Sequence, residues 1–78
     1  MNNTQGTCVA AIGSMTAAVG ARRALATNGI SSEVVALSPE QTRRGCAYGV
    51  EFALRDERAA RTILRAARIS VSQYIEKP

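Results

Sequence analysis

The chain of 78 residues contains no histidine and no tryptophan, and its only aromatic residues are two tyrosines and one phenylalanine. Without histidine it can form neither a Ser-His-Asp triad nor a Cys-His pair, and it can offer no imidazole to a metal ion. Its apolar runs are far shorter than the roughly 18 residues that a membrane-spanning helix needs. The first six residues lack the basic and apolar regions of a signal peptide. We therefore expect a soluble, cytoplasmic domain that uses no metal and no cofactor.

Cysteine is scarce as well, because only Cys8 and Cys46 are present and no CxxC motif occurs. Two cysteines are too few for the disulfide framework of a small secreted protein. Cys8 lies in an apolar segment with no basic residue near it, which predicts a packed core thiol. If Cys46 lies opposite Ile12 on a neighbouring strand, about 13 Å of strand separates the two cysteines. That distance exceeds the reach of a disulfide, so we expect no redox pair.

Acidic residues are outnumbered, because nine arginines and one lysine stand against six acids and give a formal net charge of +4. Such a surplus attracts anions, for example nucleic acid, anionic metabolites or an acidic partner protein. Five arginines recur every three or four residues and so lie along one stripe of a helix. They are Arg55, Arg58, Arg61, Arg65 and Arg68. A solvated helix face is the simpler interpretation, and a binding surface is the alternative.

Hydrophobic periodicity and turn residues predict four strands and two helices in the order β-α-β-β-α-β. The expected strands are at 7–12, 33–37, 46–54 and 69–75. The first helix is capped by Ser14 and ends at Asn28, before Gly29. The second helix is capped by Asp56 and has an apolar stripe of Ala60, Ile63, Leu64 and Ala67. We expect one domain at 7–75, with a frayed N-terminus at 1–6 and a tail at 76–78. With right-handed crossovers, this order predicts an α+β ferredoxin-like βαββαβ fold, in which a four-stranded antiparallel sheet carries two helices on one face.

In that fold the third strand lies beside the first and runs opposite to it, so its start lies near the end of the first strand and the N-terminus of the first helix. Cys46 occupies this position and follows Arg43, Arg44 and Gly45. The two guanidinium groups and the helix N-terminus favour a thiolate, and the glycine permits a tight turn. The alternative is that Cys46 is a small apolar residue at the top of the core.

The segment 44–48 partly matches the strand of RNA-recognition modules in which aromatic residues stack on bases. However, Cys46 replaces the first aromatic residue, Glu51 replaces the last, and the alternation of the strand turns Tyr48 towards the helices. RNA binding is therefore disfavoured. The sequence also shows no phosphate-binding glycine loop and no paired carboxylates on a common face, so no machinery for acid–base hydrolysis is expected.

The segment 39–49, with Pro39 followed by Gly45-Cys46 after an Asn28-Gly29 helix end, resembles the small bacterial domains of the putative selenium/sulfur carrier protein-like family. The resemblance covers about residues 7–75. It implies a carrier that holds persulfide or selenylsulfide on Cys46 and exchanges it with donor and acceptor proteins, without turnover chemistry of its own. Arg43 and Arg44 would stabilise the anionic cargo, and Thr42 and Ser14 could add hydroxyl donors. The alternative is a non-catalytic interaction module that uses the helix arginines or the open sheet.

The face of the sheet away from the helices, here called the far face, is open unless a partner covers it. If Cys8, Ala10 and Ile12 point towards the helices, small and mostly apolar residues form the far face. They are Thr7, Val9, Ala11, Ala47, Gly49 and Ala53, with Glu51 as the only charge. Such a surface suits close sheet-to-sheet contact, so we expect a homodimer through this face or a partner docked there. A monomer with an exposed alanine-rich sheet is the alternative.

Overall fold

A computed structural model describes residues 6–41 and 47–77 and confirms the α+β ferredoxin-like fold. The elements are β1 (Thr7–Gly13), α1 (Met15–Thr27), β2 (Ser32–Ala36), β3 (Tyr48–Ala53), α2 (Glu57–Ala66) and β4 (Gln73–Lys77), with single 3-10 turns at Pro39–Gln41 and Leu54–Asp56. The strands form one antiparallel sheet in the order β2-β3-β1-β4. No helix in the described part of the chain is both long and apolar enough to cross a membrane.

The core lies between the sheet and the two helices and is built largely from small side chains. The buried residues that form it are Cys8, Ala10, Ala18, Ala21, Leu25, Ile30, Val50, Phe52, Ala60 and Leu64. Alanines on both helices let each helix approach the sheet closely, and leucines fill the remaining space. Tyr48 packs against this core, which confirms that its side chain turns towards the helices.

The second helix and the last strand differ from their expected bounds. Asp56 occupies the N-cap position but makes no side-chain cap hydrogen bond, because the 3-10 turn before α2 leaves its backbone outside the extended region. Ala67 is the exposed C-cap rather than part of the buried stripe. The expected strand at 69–75 instead begins at Gln73, because Ile69 ends the helix: its amide donates to the Leu64 carbonyl at 3.0 Å. Strand β4 then continues to Lys77.

The register of β1 against β3 also differs from the expected one. Ala11 pairs with Gly49 and Gly13 pairs with Tyr48, so Ile12 is an additional residue that forms a β-bulge. The described part of β3 is therefore shifted by two residues from the assumed register, in which Ala11 would pair with Ala47 instead of Gly49, while Cys46 itself lies outside the described residues. The core faces are unchanged, since a shift by two residues keeps the same side chains on the same side.

The far face is not the exposed apolar surface that the sequence predicted. Val9 and Ala11 are fully buried within the single chain. Val9 lies in the central strand between Ile75 on β4 and Glu51 on β3, and the longer side chains of those neighbours flank it. The small side chains of β1 therefore lie below the surface that the side chains of β3 and β4 form. A homodimer through this face stays a prediction.

Candidate functional site

One end of the sheet, here called the upper edge, consists of 13–15, 47–48 and the α2–β4 loop at 67–72. The pairing of Gly13 with Tyr48 joins the end of β1 to the start of β3. Ser72 joins the α2–β4 loop to the same place, because its amide and its hydroxyl donate to the Ala11 carbonyl at 2.9 and 3.2 Å. The expected meeting of the first helix and the third strand is thereby confirmed for the described residues.

The N-terminus of α1 faces this edge and is capped as predicted. Gly13 has a φ of +138°, a conformation that favours glycine, and it turns the chain from β1 into the helix. Ser14 is extended, and its Oγ accepts a hydrogen bond from the Ala17 amide at 3.1 Å. Since the hydroxyl accepts this bond, its own proton is free to be donated elsewhere. No acidic residue lies in the first turn of α1, so no carboxylate of the helix itself offsets the positive end of its dipole.

Five of the six residues that the sequence proposes for the site lie outside the described part of the chain. They are Thr42, Arg43, Arg44, Gly45 and Cys46. Ala47, which follows Cys46 directly, is exposed, and its carbonyl accepts a hydrogen bond from the Leu37 amide at 2.8 Å. Only Ser14 is placed by the structure, and it lies at the upper edge.

Cys8 is the packed core thiol that the sequence predicted. It has no solvent exposure and lies between Phe52 on β3 and Glu76 on β4. Burial, and after it the nearby carboxylates of Glu57 and Glu76, raise the pKa of the Cys8 thiol to about 11 against the opposing effect of Arg61. Cys8 is therefore a neutral thiol at physiological pH and a poor nucleophile.

The expectation that no carboxylates pair on a common face is wrong. Glu57 at the start of α2 and Glu76 on β4 share a hydrogen bond. Arg61 donates to Glu57 at 2.7 Å, and its guanidinium lies 4.1 Å from the centre of the Tyr74 ring. The hydrogen bond from Arg61 lowers the pKa of Glu57, whereas the bond to Glu57 raises the pKa of Glu76. One signal for this cluster is visible in the sequence, namely the i,i+4 spacing of Glu57 and Arg61.

Among the described residues, cavities lie along α2 and at the lower end of the sheet, which is the end opposite the upper edge. A cavity of about 450 Å³ at the lower end is lined in part by Thr7, Ser32 and Phe52 and contains none of the expected site residues. A smaller groove of about 210 Å³ runs between the C-terminal half of α2 and β4. It is lined by Arg61, Arg65, Ile69, Val71 and Tyr74 and is called the α2–β4 groove below.

These observations define a small ferredoxin-like domain with one fully buried thiol and a capped, unopposed helix N-terminus at the edge where β3 begins. The family described as "Putative Se/S carrier protein-like" matches residues 7–76, nearly the whole chain. The chain belongs to this family. No curated protein and no solved structure gives a significant match, so the family match alone relates the chain to other proteins.

Proposed function

We propose that this protein carries sulfur or selenium on Cys46, as a persulfide or selenylsulfide, between a donor and an acceptor protein. The description of the family supports the general class, and carrier chemistry requires one nucleophilic thiol. The proposal includes a cytoplasmic location, because two cysteines without a disulfide framework suit a reducing compartment.

The observation that carries this assignment is the burial of the other cysteine. The sequence has only Cys8 and Cys46. Cys8 has no solvent exposure and a pKa of about 11, so a donor can neither reach it nor find it ionised near neutral pH. If the chain holds sulfur on a cysteine at all, Cys46 is the cysteine that remains.

The surroundings of the upper edge support a thiolate at this position. In the sequence, Cys46 is two residues before Tyr48, and Tyr48 pairs with Gly13. Helix α1 begins at Met15, two residues after Gly13. A helix N-terminus stabilises a nearby anion. In the proposal Arg43 and Arg44 add positive charge, Gly45 permits the turn, and Thr42 and Ser14 donate hydroxyl hydrogen bonds to the cargo.

The transfer step balances without an added oxidant or reductant. The Cys46 thiolate attacks the terminal sulfur of a persulfide on the donor's cysteine. A bond forms between Cys46 Sγ and that sulfur, the donor's S–S bond breaks, and the donor's cysteine leaves as a thiolate. Delivery repeats the same displacement, with a thiolate of the acceptor attacking the terminal sulfur on Cys46. A selenylsulfide exchanges in the same way with selenium as the terminal atom.

Loading by a donor enzyme tests the proposal. The protein is incubated with a cysteine desulfurase and cysteine, and its intact mass is measured before and after treatment with a thiol reductant. We expect one added sulfur atom that the reductant removes. Cys46→Ser should abolish the addition, and Cys8→Ala, a control that removes the other thiol, should retain it. Equal sulfur addition to the Cys46→Ser variant would overturn the assignment.

A non-catalytic interaction module is the second candidate, and the arginines on and beside α2 favour it. Arg55, Arg58, Arg65 and Arg68 have no carboxylate partner among the described residues. An RNA-binding module gains no support, because Tyr48 packs towards the helices instead of presenting its ring on the far face. A chain whose Cys46 never accepts sulfur but whose arginines bind a partner would fit the interaction module.

A further inference from the structure

We propose that the α2–β4 groove binds an acidic, partly aliphatic segment of the protein that exchanges sulfur or selenium with Cys46. This inference rests on the proposed function for the identity of the partner. The groove itself has three relevant features among its described residues: an unpaired charge, apolar walls and a position beside the upper edge.

Arg65 supplies the charge that an acidic segment would meet. The neighbouring Arg61 is already held by Glu57 at 2.7 Å and lies over the Tyr74 ring. Arg65 is exposed, lines the groove, and has no acidic partner in the described ranges 6–41 and 47–77. A guanidinium binds a carboxylate through two parallel hydrogen bonds. A carboxylate from another protein could therefore form this pair with the Arg65 guanidinium.

The other walls are apolar and favour an aliphatic neighbour of that carboxylate. Ile69, Val71 and Tyr74 are half-buried; they pack against the core on one side and line the groove on the other. The volume of about 210 Å³ is below the roughly 300–1,000 Å³ of small-molecule sites. The groove thus fits one or two side chains of a peptide segment rather than a cofactor.

Two lining residues of the groove, Ile69 and Val71, belong to the α2–β4 loop of the upper edge, where in the proposal a partner approaches Cys46. The turn that follows Arg65 is fixed by the positive φ of Arg68 (62°) and by the bond from Ser72 to Ala11. From β4 to β3, which begins two residues after Cys46, the sheet spans two strand spacings, about 10 Å in all. A segment bound in the groove would hold the partner's reacting sulfur close to that edge.

Two other occupants fit the groove less well. Proteins that bind single-stranded nucleic acid present aromatic faces for base stacking, whereas the one ring in this groove is covered by Arg61. A second copy of this chain carries the same net charge of +4 and would be repelled by Arg65. An acidic protein segment is the occupant that the charge selects.

The test is an NMR titration of the ¹⁵N-labelled protein, under reducing conditions, with a capped peptide of alternating glutamate and leucine. We expect shifts concentrated at Arg65, Ile69, Val71 and Tyr74, and an affinity about tenfold lower for Arg65→Gln. Arg22→Gln removes the same charge from the exposed surface of α1 and should change the affinity less than about twofold. A peptide with glutamine in place of glutamate should bind more weakly than the acidic peptide.

Three results would overturn the inference: equal losses for Arg65→Gln and Arg22→Gln, equal binding of the glutamine peptide, or tighter, Arg65-dependent binding of an oligothymidine. The titration is repeated with Cys46→Ser, which should bind the peptide as the wild type does. Failure to load sulfur would therefore refute the carrier chemistry and leave the peptide measurement standing. With wild type that does load sulfur, saturating acidic peptide should slow loading by the desulfurase, and an unchanged rate would count against the groove as the partner's docking site.

Discussion

At the scale of single residues, the environment of Cys8 decides which thiol can react. Cys8 is fully buried and its pKa is about 11. We therefore expect a thiol-specific probe to leave Cys8 unlabelled from pH 6 up to the alkaline pH at which the protein unfolds. Cys46 should react with an apparent pKa below the reference value of about 8.5. Labelling rates measured across pH, with each cysteine substituted in turn, give the two profiles. Reaction of both thiols only after unfolding would contradict the carrier.

The carboxyl pair of Glu57 and Glu76 predicts a pH-dependent change in stability. The pKa of Glu76 is raised, so its proton stabilises the fold below its unfolded pKa, and this contribution is lost as pH rises through the folded pKa. Above that folded pKa the two carboxylates carry like charges and repel each other. Glu76→Gln should therefore stabilise the protein at pH 7, with the gain disappearing in acid, where Glu76 itself is protonated.

Urea denaturation of wild type and Glu76→Gln at neutral and acidic pH measures this difference. Glu57→Gln is the informative comparison, because the pKa of Glu57 is lowered by Arg61. A lowered pKa contributes stability above the unfolded pKa, so this variant should instead lose stability at pH 7. The same direction of change for both variants at pH 7 would show that the two carboxyls are not arranged as described.

At the scale of secondary-structure elements, two glycines make a matched pair. A Cβ on Gly49 would collide with the Ala10 carbonyl of the neighbouring strand, beside the bulge that leads to the upper edge. The Ala10 carbonyl is backbone and the Cβ is fixed to the backbone of β3, so the strands must separate, and we expect Gly49→Ala to destabilise the fold by about 1–3 kcal/mol. Gly20, on the exposed side of α1, has nothing within 4 Å of such a Cβ.

Gly20→Ala should therefore stabilise the protein by about 0.5–1 kcal/mol, through the higher helix propensity of alanine. Thermal or urea unfolding of both variants compares the two glycines directly. If Gly49→Ala proved as well tolerated as Gly20→Ala, the close approach of β1 and β3 would be wrong.

Two substitutions of Ser14, the N-cap of α1, test separately its effect on stability and the effect of charge at the upper edge. Ser14→Ala removes the acceptor for the Ala17 amide and should cost about 1 kcal/mol, within a range of about 0.5–2. Ser14→Asp retains a capping oxygen and adds a negative charge beside the start of β3. We expect near wild-type stability for this variant but a higher apparent pKa of Cys46 in the labelling experiment. An unchanged pKa would mean that the α1 terminus does not act on the thiol.

How much the sequence predicts also depends on the element. The cap at Ser14 and the stop at Gly29 are local signals, and α1 accordingly ends at Thr27 with Asn28 as its C-cap. The predicted last strand starts too early because the apolar residues Ile69 and Val71 resemble a strand, although Ile69 ends α2 and both residues pack against the core. Strand register depends on contacts between distant segments, so the bulge at Ile12 could not be predicted from local pattern.

At the scale of the whole molecule, the βαββαβ order explains why the candidate site is at one edge. The meeting of the β1–α1 connection with the start of β3 follows from antiparallel pairing alone, so it could be predicted before the register was known. The recessed positions of Val9 and Ala11 could not, because they depend on the side chains of both neighbouring strands. Light scattering at micromolar concentration remains the measurement for the predicted homodimer.

Locating the sulfur in the wild-type chain decides whether Cys46, and not Cys8, holds it. After loading by a desulfurase, the folded protein is alkylated and digested with trypsin, which separates Cys46 in peptide 45–55 from Cys8 in peptide 1–22. We expect an alkylated persulfide on peptide 45–55 and a cysteine without added sulfur on peptide 1–22. Sulfur on peptide 1–22, or on neither peptide while the donor is active, would contradict it.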